Sequence, residues 1–234
     1  MKHQISIIIP TLNEAANIQI LLLHLLKNTS AKNISEIIIV DGGSTDGSLT
    51  IISKFNSVTL LHSEKSRAKQ MNLGAKSATG NILYFLHADS FPPENFDELI
   101  IKEIIKGNKA GCFRMKFSSN HWWLKLAGQL TRLPWKSCRG GDQSQFITKK
   151  LFNELKGFNE DFKIYEDNDF ISKLYARNEF VVIQKWLTTS PRHYNTNGIW
   201  RLQLHYWTIH LKKWFGASAD DLNQYYLKYV SVKK

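Results

Sequence analysis

Three runs of consecutive apolar residues, each released into a polar cluster, constrain this chain more than any other feature. They are Ile5 to Pro10 (ISIIIP), Glu36 to Val40 (EIIIV) and Asn81 to Leu86 (NILYFL). A strand with one wet face alternates apolar and polar positions. Successive β-branched and aromatic positions instead need cover on both faces, as in a parallel sheet between helix layers. The intervening segments supply the helices. Ile18, Leu21, Leu22, Leu25 and Leu26 recur at i, i+3, i+4, i+7 and i+8, one face of an amphipathic helix. Further helices are predicted from Asp46 to about Phe55 and from Ser66 to Ser77, with a short strand near Val58 to Leu61 between them. Strand, helix, strand, helix, strand with short connections specifies an α/β fold, a mostly parallel central sheet flanked by helices. Ligands of such sheets bind beyond the carboxyl ends of the strands.

The second half is less regular. Ala110 to Phe117 and Phe180 to Ile183 are predicted strands, and Lys149 to Leu155 and Asp167 to Ala176 predicted helices. No Pro/Gly/Ser-rich linker divides the 234 residues, so one continuous domain with a carboxyl-terminal extension is expected. The first apolar run is too short for a signal-peptide core, and no run reaches the ~18–20 apolar residues that cross a bilayer. A soluble or peripheral protein follows. Cys112 and Cys138 form no CxxC pair and read as reduced, packed thiols of a cytosolic protein. The formal charge of +11 is unevenly spread: −1 over residues 1–100, +9 over 101–150, −4 over 151–170 and +7 over 171–234. A basic surface of this kind attracts nucleic acid, anionic lipid or a phosphorylated substrate.

The polar residues that follow the strands carry the chemistry. Thr11, Asn13 and Glu14 follow the first, and alone they read equally as a capped helix start. Asp41-Gly42-Gly43-Ser44-Thr45-Asp46 follows the second. Its paired glycines let backbone approach a ligand closely, Asp41 can accept hydrogen bonds from a nucleobase or ribose, and Asp46 can cap the next helix. His87-Ala88-Asp89 follows the third; in extended backbone, i and i+2 point the same way and can meet one ion. Carboxylate with imidazole suits Mn²⁺, and a diphosphate can complete the shell of Mg²⁺ or Mn²⁺. A satisfied histidine beside a turn aspartate is the alternative. Together the three strand ends describe a site for a nucleotide diphosphate and its metal.

The segments IIIPTLNE, IIIVDGGSTDGS, RAKQMNLGA and FLHAD, in this order and spacing over roughly residues 4–190, resemble family 2 glycosyltransferases of the GT-A fold. RAKQMNLGA, LHADS, GGDQ and YEDNDF are most similar to a bacterial subgroup labelled arsenosugar-biosynthesis glycosyltransferases. The resemblance implies a catalytic domain over 1–195, its nucleotide-binding half about 1–90 and its acceptor half about 91–195, followed by a helical extension over 196–234. It implies that Thr11, Glu14 and Asp41 bind the nucleoside, usually uridine, and that Arg67, Asn72 and Gly74 lie along the nucleotide and diphosphate. His87 and Asp89 replace the family's usual Asp-x-Asp as metal ligands. Tyr165-Glu166-Asp167-Asn168-Asp169 matches the family's Glu-Asp motif, which implies Asp167 as general base with Glu166 its nearest rival. Independently, a carboxylate crowded by other acids has a raised pKa, which suits a base near neutral pH; acids at a helix start also favour the helix dipole. Gly140-Gly141-Asp142-Gln143 falls where the family places residues beside the donor sugar and acceptor, so Asp142 and Gln143 are sugar-site candidates. The family's Gln-x-x-Arg-Trp motif is absent, and Arg192 and His193 stand at a comparable place as candidates for the diphosphate.

In the tail, Trp200, Leu204, Trp207, Leu211 and Trp214 form one helical stripe, with Arg201, His205, Thr208 and Lys212 beside it. Such a helix suits a membrane interface, and equally packing on the main domain or across a homodimer. His121 to Trp135, with three tryptophans, poses the same choice. The expected enzyme is cytoplasmic, at the inner membrane face if the tail binds lipid. It is an inverting, metal-assisted glycosyltransferase that moves sugar from a UDP-linked donor to a glycan or lipid-linked acceptor, without nucleic-acid partners. The rival readings are transfer to a polyprenyl phosphate, a non-catalytic nucleotide-sugar binder, and a nucleic-acid-binding protein.

Overall fold

The computed structural model describes residues 3–231. Its amino-terminal half is the expected alternation. Strand β1 (Ile5–Thr11) leads to helix α1 (Ala15–Lys27), β2 (Ile34–Asp41) to α2 (Ser48–Ile52), β3 (Val58–His62) to α3 (Arg67–Ser77), and β4 (Ile82–Phe85) follows. After it come β5 (Ser90–Phe91), α4 (Phe96–Ile105), β6 (Ala110–Phe117), α5 (Trp122–Leu130), β7 (Gln145–Thr148), α6 (Lys149–Glu154), α7 (Glu166–Ala176) and β8 (Val181–Thr189). Helices α8 (Arg192–Asn197), α9 (Ile199–Trp214) and α10 (Ala219–Tyr229) end the chain. Residues 232–234 of the expected extension lie outside the described residues.

The eight strands of one sheet run in the order β3-β2-β1-β4-β7-β6-β8-β5. Strands β1 to β4 are mutually parallel, as are β6 and β8, whereas β7 is antiparallel to both neighbours and β5 to β8. The sheet is mostly parallel, as expected, with β5 and β7 the two strands that run against the other six. Strands β5 and β7 and helix α4 were not anticipated, whereas α10 lies within the expected helical extension. Two- and four-residue strands are too short to show a period.

The period-two geometry of a strand explains the unbroken apolar runs. Ile5, Ile7 and Ile9 enter one core with Ile37, Ile39, Ile82 and Tyr84, beneath α1 and α4. Ile8, Ile38, Val40, Leu83 and Phe85 point the other way, into a second core with Ala68, Met71, Phe152, Phe158, Phe170 and Leu174 from α3, α6, α7 and the α6–α7 loop. Each fully buried isoleucine contributes roughly 1.5–3 kcal/mol relative to exposure. Helix α1 buries Ile18, Leu21, Leu22 and Leu25, while Leu26, at the margin of the expected stripe, stays exposed.

Helix α9 is anchored through Leu202 and Ile209, the latter in a small third core with Phe162 and Leu222. The predicted tryptophan-leucine stripe lies on its opposite, outward face, with Trp200, Leu204, Trp207, Leu211 and Trp214 all exposed. The tail helix thus packs on the main domain, but not by the face that its sequence advertises.

Candidate active site

The parallel register of β1 and β2 sets Thr11 beside Asp41 at their carboxyl ends. Gly42 N–H donates to the Thr11 carbonyl at 2.9 Å, and the Gln70 amide reaches from α3 to donate to the carbonyls of Thr11 (2.9 Å) and Val40 (2.7 Å). The buried Asp41 carboxylate accepts from Gly43 N–H at 2.8 Å and Ser44 N–H at 3.0 Å. Gly43 has φ +93°, a left-handed backbone that glycine adopts without a Cβ penalty. The loops after the two strands are then sewn together. Asn13 Oδ1 accepts from Thr45 N–H (2.8 Å), Ser44 Oγ from Asn13 N–H (2.9 Å), Asp46 Oδ2 from Ala15 N–H (3.0 Å) and Ser48 Oγ from Glu14 N–H (2.8 Å). Asp46 accepts the first helical N–H of both α1, from Ala15, and α2, from Ser48, although the N-cap position of α2 itself is Gly47. Sequence reasoning missed Gln70 and Ser48; their only signal was polarity on a packed helix face.

Strand pairing at the far edge of the sheet completes the next part. Strand β5 pairs with β8 through Ser90 and Thr189, and Ser190 N–H donates to the Asp89 carbonyl at 3.2 Å. Arg192, three residues beyond β8, is thereby delivered to Asp89. Its Nε lies 3.2 Å from Asp89 Oδ2, its Nη1 donates to Glu14 Oε2 at 2.8 Å, and its Nη2 pairs with Glu14 Oε1. One guanidinium so bridges a nucleoside candidate and a metal candidate.

The side of the site that carries Asp142 is built beside β7. Its antiparallel pairing with β4 sets Gln145 opposite Phe85, and continuing that register past the strand ends brings His87 alongside residues 142–143. Asp142 Oδ1 is 3.7 Å from His87 Nδ1. The buried Tyr84 hydroxyl donates to Ser144 Oγ at 3.0 Å and holds this turn from beneath. Arg139 holds it from the side: its guanidinium donates to Gln143 Oε1 (2.7 Å) and to the carbonyls of Thr131 (2.6 Å) and Leu133. Gly141 lies so close to Asp167 that a methyl group there would intrude on its carboxylate. Glu166 and Asp167 open helix α7, and Arg67, opening α3, places Nη1 3.6 Å from Glu166 Oε1.

The charges of this belt perturb one another. Burial pushes the Asp167 carboxyl up to about 8; Glu166 and Asp142 add to the rise and Arg67 opposes it. Glu166 is raised by burial too, opposed by Arg67, whose Nη1 at 3.6 Å from Oε1 is its partner. Burial lifts Asp89 to about 6 despite Arg192. Burial, then the charge of Arg67, lowers His87 to about 4, so its imidazole is neutral near pH 7. A buried carboxylate held by a single half-exposed cation, beside a second one held protonated, is a costly arrangement for a fold alone and is typical of functional sites.

Among the described residues no group of three or more His, Cys, Asp and Glu side chains could hold a metal by itself. Asp89 and His87 provide one carboxylate and one neutral imidazole at the same turn, and the carboxyl of half-buried Asp89 stays raised despite its Arg192 partner. That set fits an ion that arrives with a diphosphate and takes the rest of its shell from phosphate and water.

Several expected site residues are placed elsewhere. The Asn72 amide is spent on the 157–160 loop, donating to the Phe158 carbonyl and to Glu160 Oε1 at 2.9 Å each and accepting from Phe158 N–H at 3.0 Å. Gly74 sits against the sheet, where an added Cβ would lie 2.5 Å from Ile8 Cγ2. Gln143 is buried in the Arg139 network and donates to the Cys138 carbonyl at 2.6 Å. Their geometry serves packing and loop fixation. His193 is exposed on α8, within electrostatic reach of Asp142 and Arg192.

Comparison with known proteins agrees with this architecture. A glycosyltransferase of Haemophilus influenzae, itself uncharacterized, is 26% identical over 240 aligned residues, covering 97% of this chain and 78% of its own. The glycosyltransferase AglE of Haloferax volcanii is 32% identical over 40% of this chain, which spans only 33% of that relative. Staphylococcus aureus TarS, residues 1–349 in complex with UDP, superposes with a TM-score of 0.65 at 21% identity, over 80% of this chain and 61% of that one. TarS shares the fold, a central sheet flanked by helices in the GT-A manner, and its crystal structure has also been described with UDP-GlcNAc. The family model described as Glycosyl transferase family 2 matches residues 6–171. With most of its length inside that match, including every strand end that carries these side chains except that of β8, the chain belongs to glycosyl transferase family 2.

Proposed function

We propose that this chain is an inverting glycosyltransferase that moves a sugar from a nucleotide diphosphate donor, most simply UDP-linked, to an acceptor hydroxyl. The observation that carries the reading is convergence: Thr11, Asp41, Glu14, Arg192, Asp89, His87, Asp142, Arg67, Glu166 and Asp167 form one belt linked by strand register, ion pairs and charge coupling. The catalytic unit is 1–195, followed by the extension whose described part holds α9 and α10.

In this reading Thr11 and Asp41 line the nucleoside site, and Glu14 joins them when Arg192 turns from it to the diphosphate. Arg67, its side chain 53% exposed, faces phosphate with a planar fork of donors. Asp89 and His87 would hold a divalent Mg²⁺ or Mn²⁺, which supplies charge neutralisation to the departing diphosphate. Asp142 meets a sugar hydroxyl. Asp167, ionised, takes the acceptor proton as the acceptor oxygen bonds to the anomeric carbon, and the bond from that carbon to the diphosphate oxygen breaks on the opposite face. Glu166, ion-paired with Arg67, keeps the Asp167 proton affinity high enough for this work.

The test is a thermal-shift screen of nucleotides and UDP-sugars with and without Mn²⁺, paired with transfer assays of Asp167→Asn. Metal-dependent stabilisation by UDP and its sugars is expected, since a ligand of the native state stabilises in proportion to ln(1 + [L]/Kd). The variant should keep that stabilisation and lose at least ~10²-fold in transfer rate. Equal loss of binding and transfer would refute the base role, and full activity of the variant would point to an acceptor oxyanion such as a lipid phosphate.

A further inference from the structure

Helix α9 carries two apolar faces on opposite sides. Leu202 and Ile209 are buried against the domain, while Trp200, Leu204, Trp207, Leu211 and Trp214 are 48–78% exposed. Helix α5 repeats the pattern: Leu124 and Gly128 are buried, and Trp122, Leu126 and Leu130 lie outward at i, i+4 and i+8. The helices are neighbours, joined by Trp122–Trp200, Trp123–Trp200 and Trp123–Trp207 ring contacts at 5.7, 5.2 and 5.9 Å. Two outward stripes thus merge into one apolar face, extended by exposed Phe215, whose ring lies 5.1 Å from that of Trp214. A contiguous patch of this kind marks an interaction site.

The charge around it selects the partner. The sequence has no Asp or Glu between residues 104 and 141, which carry eight Lys and Arg, and none between 180 and 219, which carry five. Lys125, Arg132, Lys136, Arg201 and Lys212 are exposed beside the stripes, and among the described residues none forms a salt bridge. A second copy would bring like charge against like. An anionic bilayer meets both features, since indole rings favour the headgroup boundary and each Lys or Arg near an anionic surface adds about 1 kcal/mol. No helix among the described residues is long and apolar enough to cross a membrane. The geometry points to in-plane docking: we propose that the joint α5–α9 face binds an anionic lipid bilayer and presents the cleft to an acceptor carried on that surface. Connectivity supports the second clause. The chain leaving α5 reaches Gly141 beside Asp167, α8 leads from Arg192 into α9, and the Tyr165 hydroxyl shares a 3.2 Å hydrogen bond with His210 of α9. That clause rests on the glycosyl-transfer reading; docking itself does not.

The experiment is co-sedimentation of the full chain with phosphatidylcholine vesicles, with and without about 30 mol% phosphatidylglycerol, at low salt and about 0.5 M salt. Binding is expected to the anionic vesicles at low salt, reduced at least tenfold by Leu211→Glu/Trp214→Glu and reduced likewise by Lys125→Glu/Lys212→Glu. Both double variants should keep the wild-type melting temperature and UDP-induced shift, because all four side chains face outward. Wild-type protein left in the supernatant, variants that bind as wild type, or a dimer that Leu211→Glu/Trp214→Glu converts to monomer would each overturn docking. Loss of sedimentation with an intact UDP shift sinks the membrane proposal and spares the transferase reading; vesicle binding without any UDP shift does the reverse.

Discussion

Replacing Asp167 by asparagine should make the protein more stable while disabling it, and the gain should depend on pH. The Asp167 carboxyl lies at about 8 in the folded chain against an ordinary 3.8. A carboxyl raised on folding binds its proton more tightly in the native state, so its contribution is complete below about pH 4 and is lost progressively as pH rises towards 8. Each unit corresponds to ~1.4 kcal/mol, which sets a ceiling of about 4 kcal/mol at pH 7. Asparagine is neutral throughout and escapes that loss, but Arg67 gives up part of its charge complement, so a net gain of about 2 kcal/mol is expected at pH 7. For a chain of this size that is roughly 4–8 °C in Tm. The assay is thermal and urea melting of both proteins from pH 4 to 8.5. The curves should coincide near pH 4 and separate steadily above pH 5. A difference that is constant across this range, or a wild type more stable than the variant at pH 8, refutes the reasoning, because burial and Glu166 would then not be holding a proton on Asp167.

The same proton gives kcat/KM an acidic limb: activity should rise with pH through about 8 in the free enzyme, as read from the pH profile at limiting donor. Gly74→Ala should lower Tm by the equivalent of about 1–3 kcal/mol, because the new methyl meets Ile8, while the folded fraction keeps its UDP-induced shift. Chelation by EDTA should weaken UDP-sugar binding at least ~10-fold in the wild type and make little difference in Asp89→Ala, measured by calorimetry. Arg139→Ala should cost about 2–4 kcal/mol in urea melts by stranding the carbonyls of Thr131 and Leu133, and Arg139→Lys should not restore it, because an ammonium cannot span Gln143 and both carbonyls together.

What the sequence disclosed followed the strength of its periodicities. Ile5, Ile7 and Ile9 against Ile8 needed two cores, and the acids after β1, β2 and β4 fell where a parallel sheet leaves them. The bridging role of Arg192 was hidden because its partner Glu14 is 178 positions away, and only the two-residue β5, paired with β8, brings it to Asp89. Asn72 and Gln143 looked like ligand-binding amides, yet both satisfy loop groups that appear only once the chain is folded. On α9 the five-residue apolar stripe was legible, but the choice of packed face fell to Leu202 and Ile209, a smaller set whose partners Phe162 and Leu222 come from distant segments. Polar side chains advertise that they need a partner and say nothing of which one.

The antiparallel strand β7 lies between β4 and β6, so backbone hydrogen bonds run without interruption from the β1–β4 half of the sheet to the β6–β8 half. Two lobes welded through such a seam cannot part like the halves of a clamshell. An inhibitor shaped to wedge a hinge through this sheet would therefore find no gap between its halves.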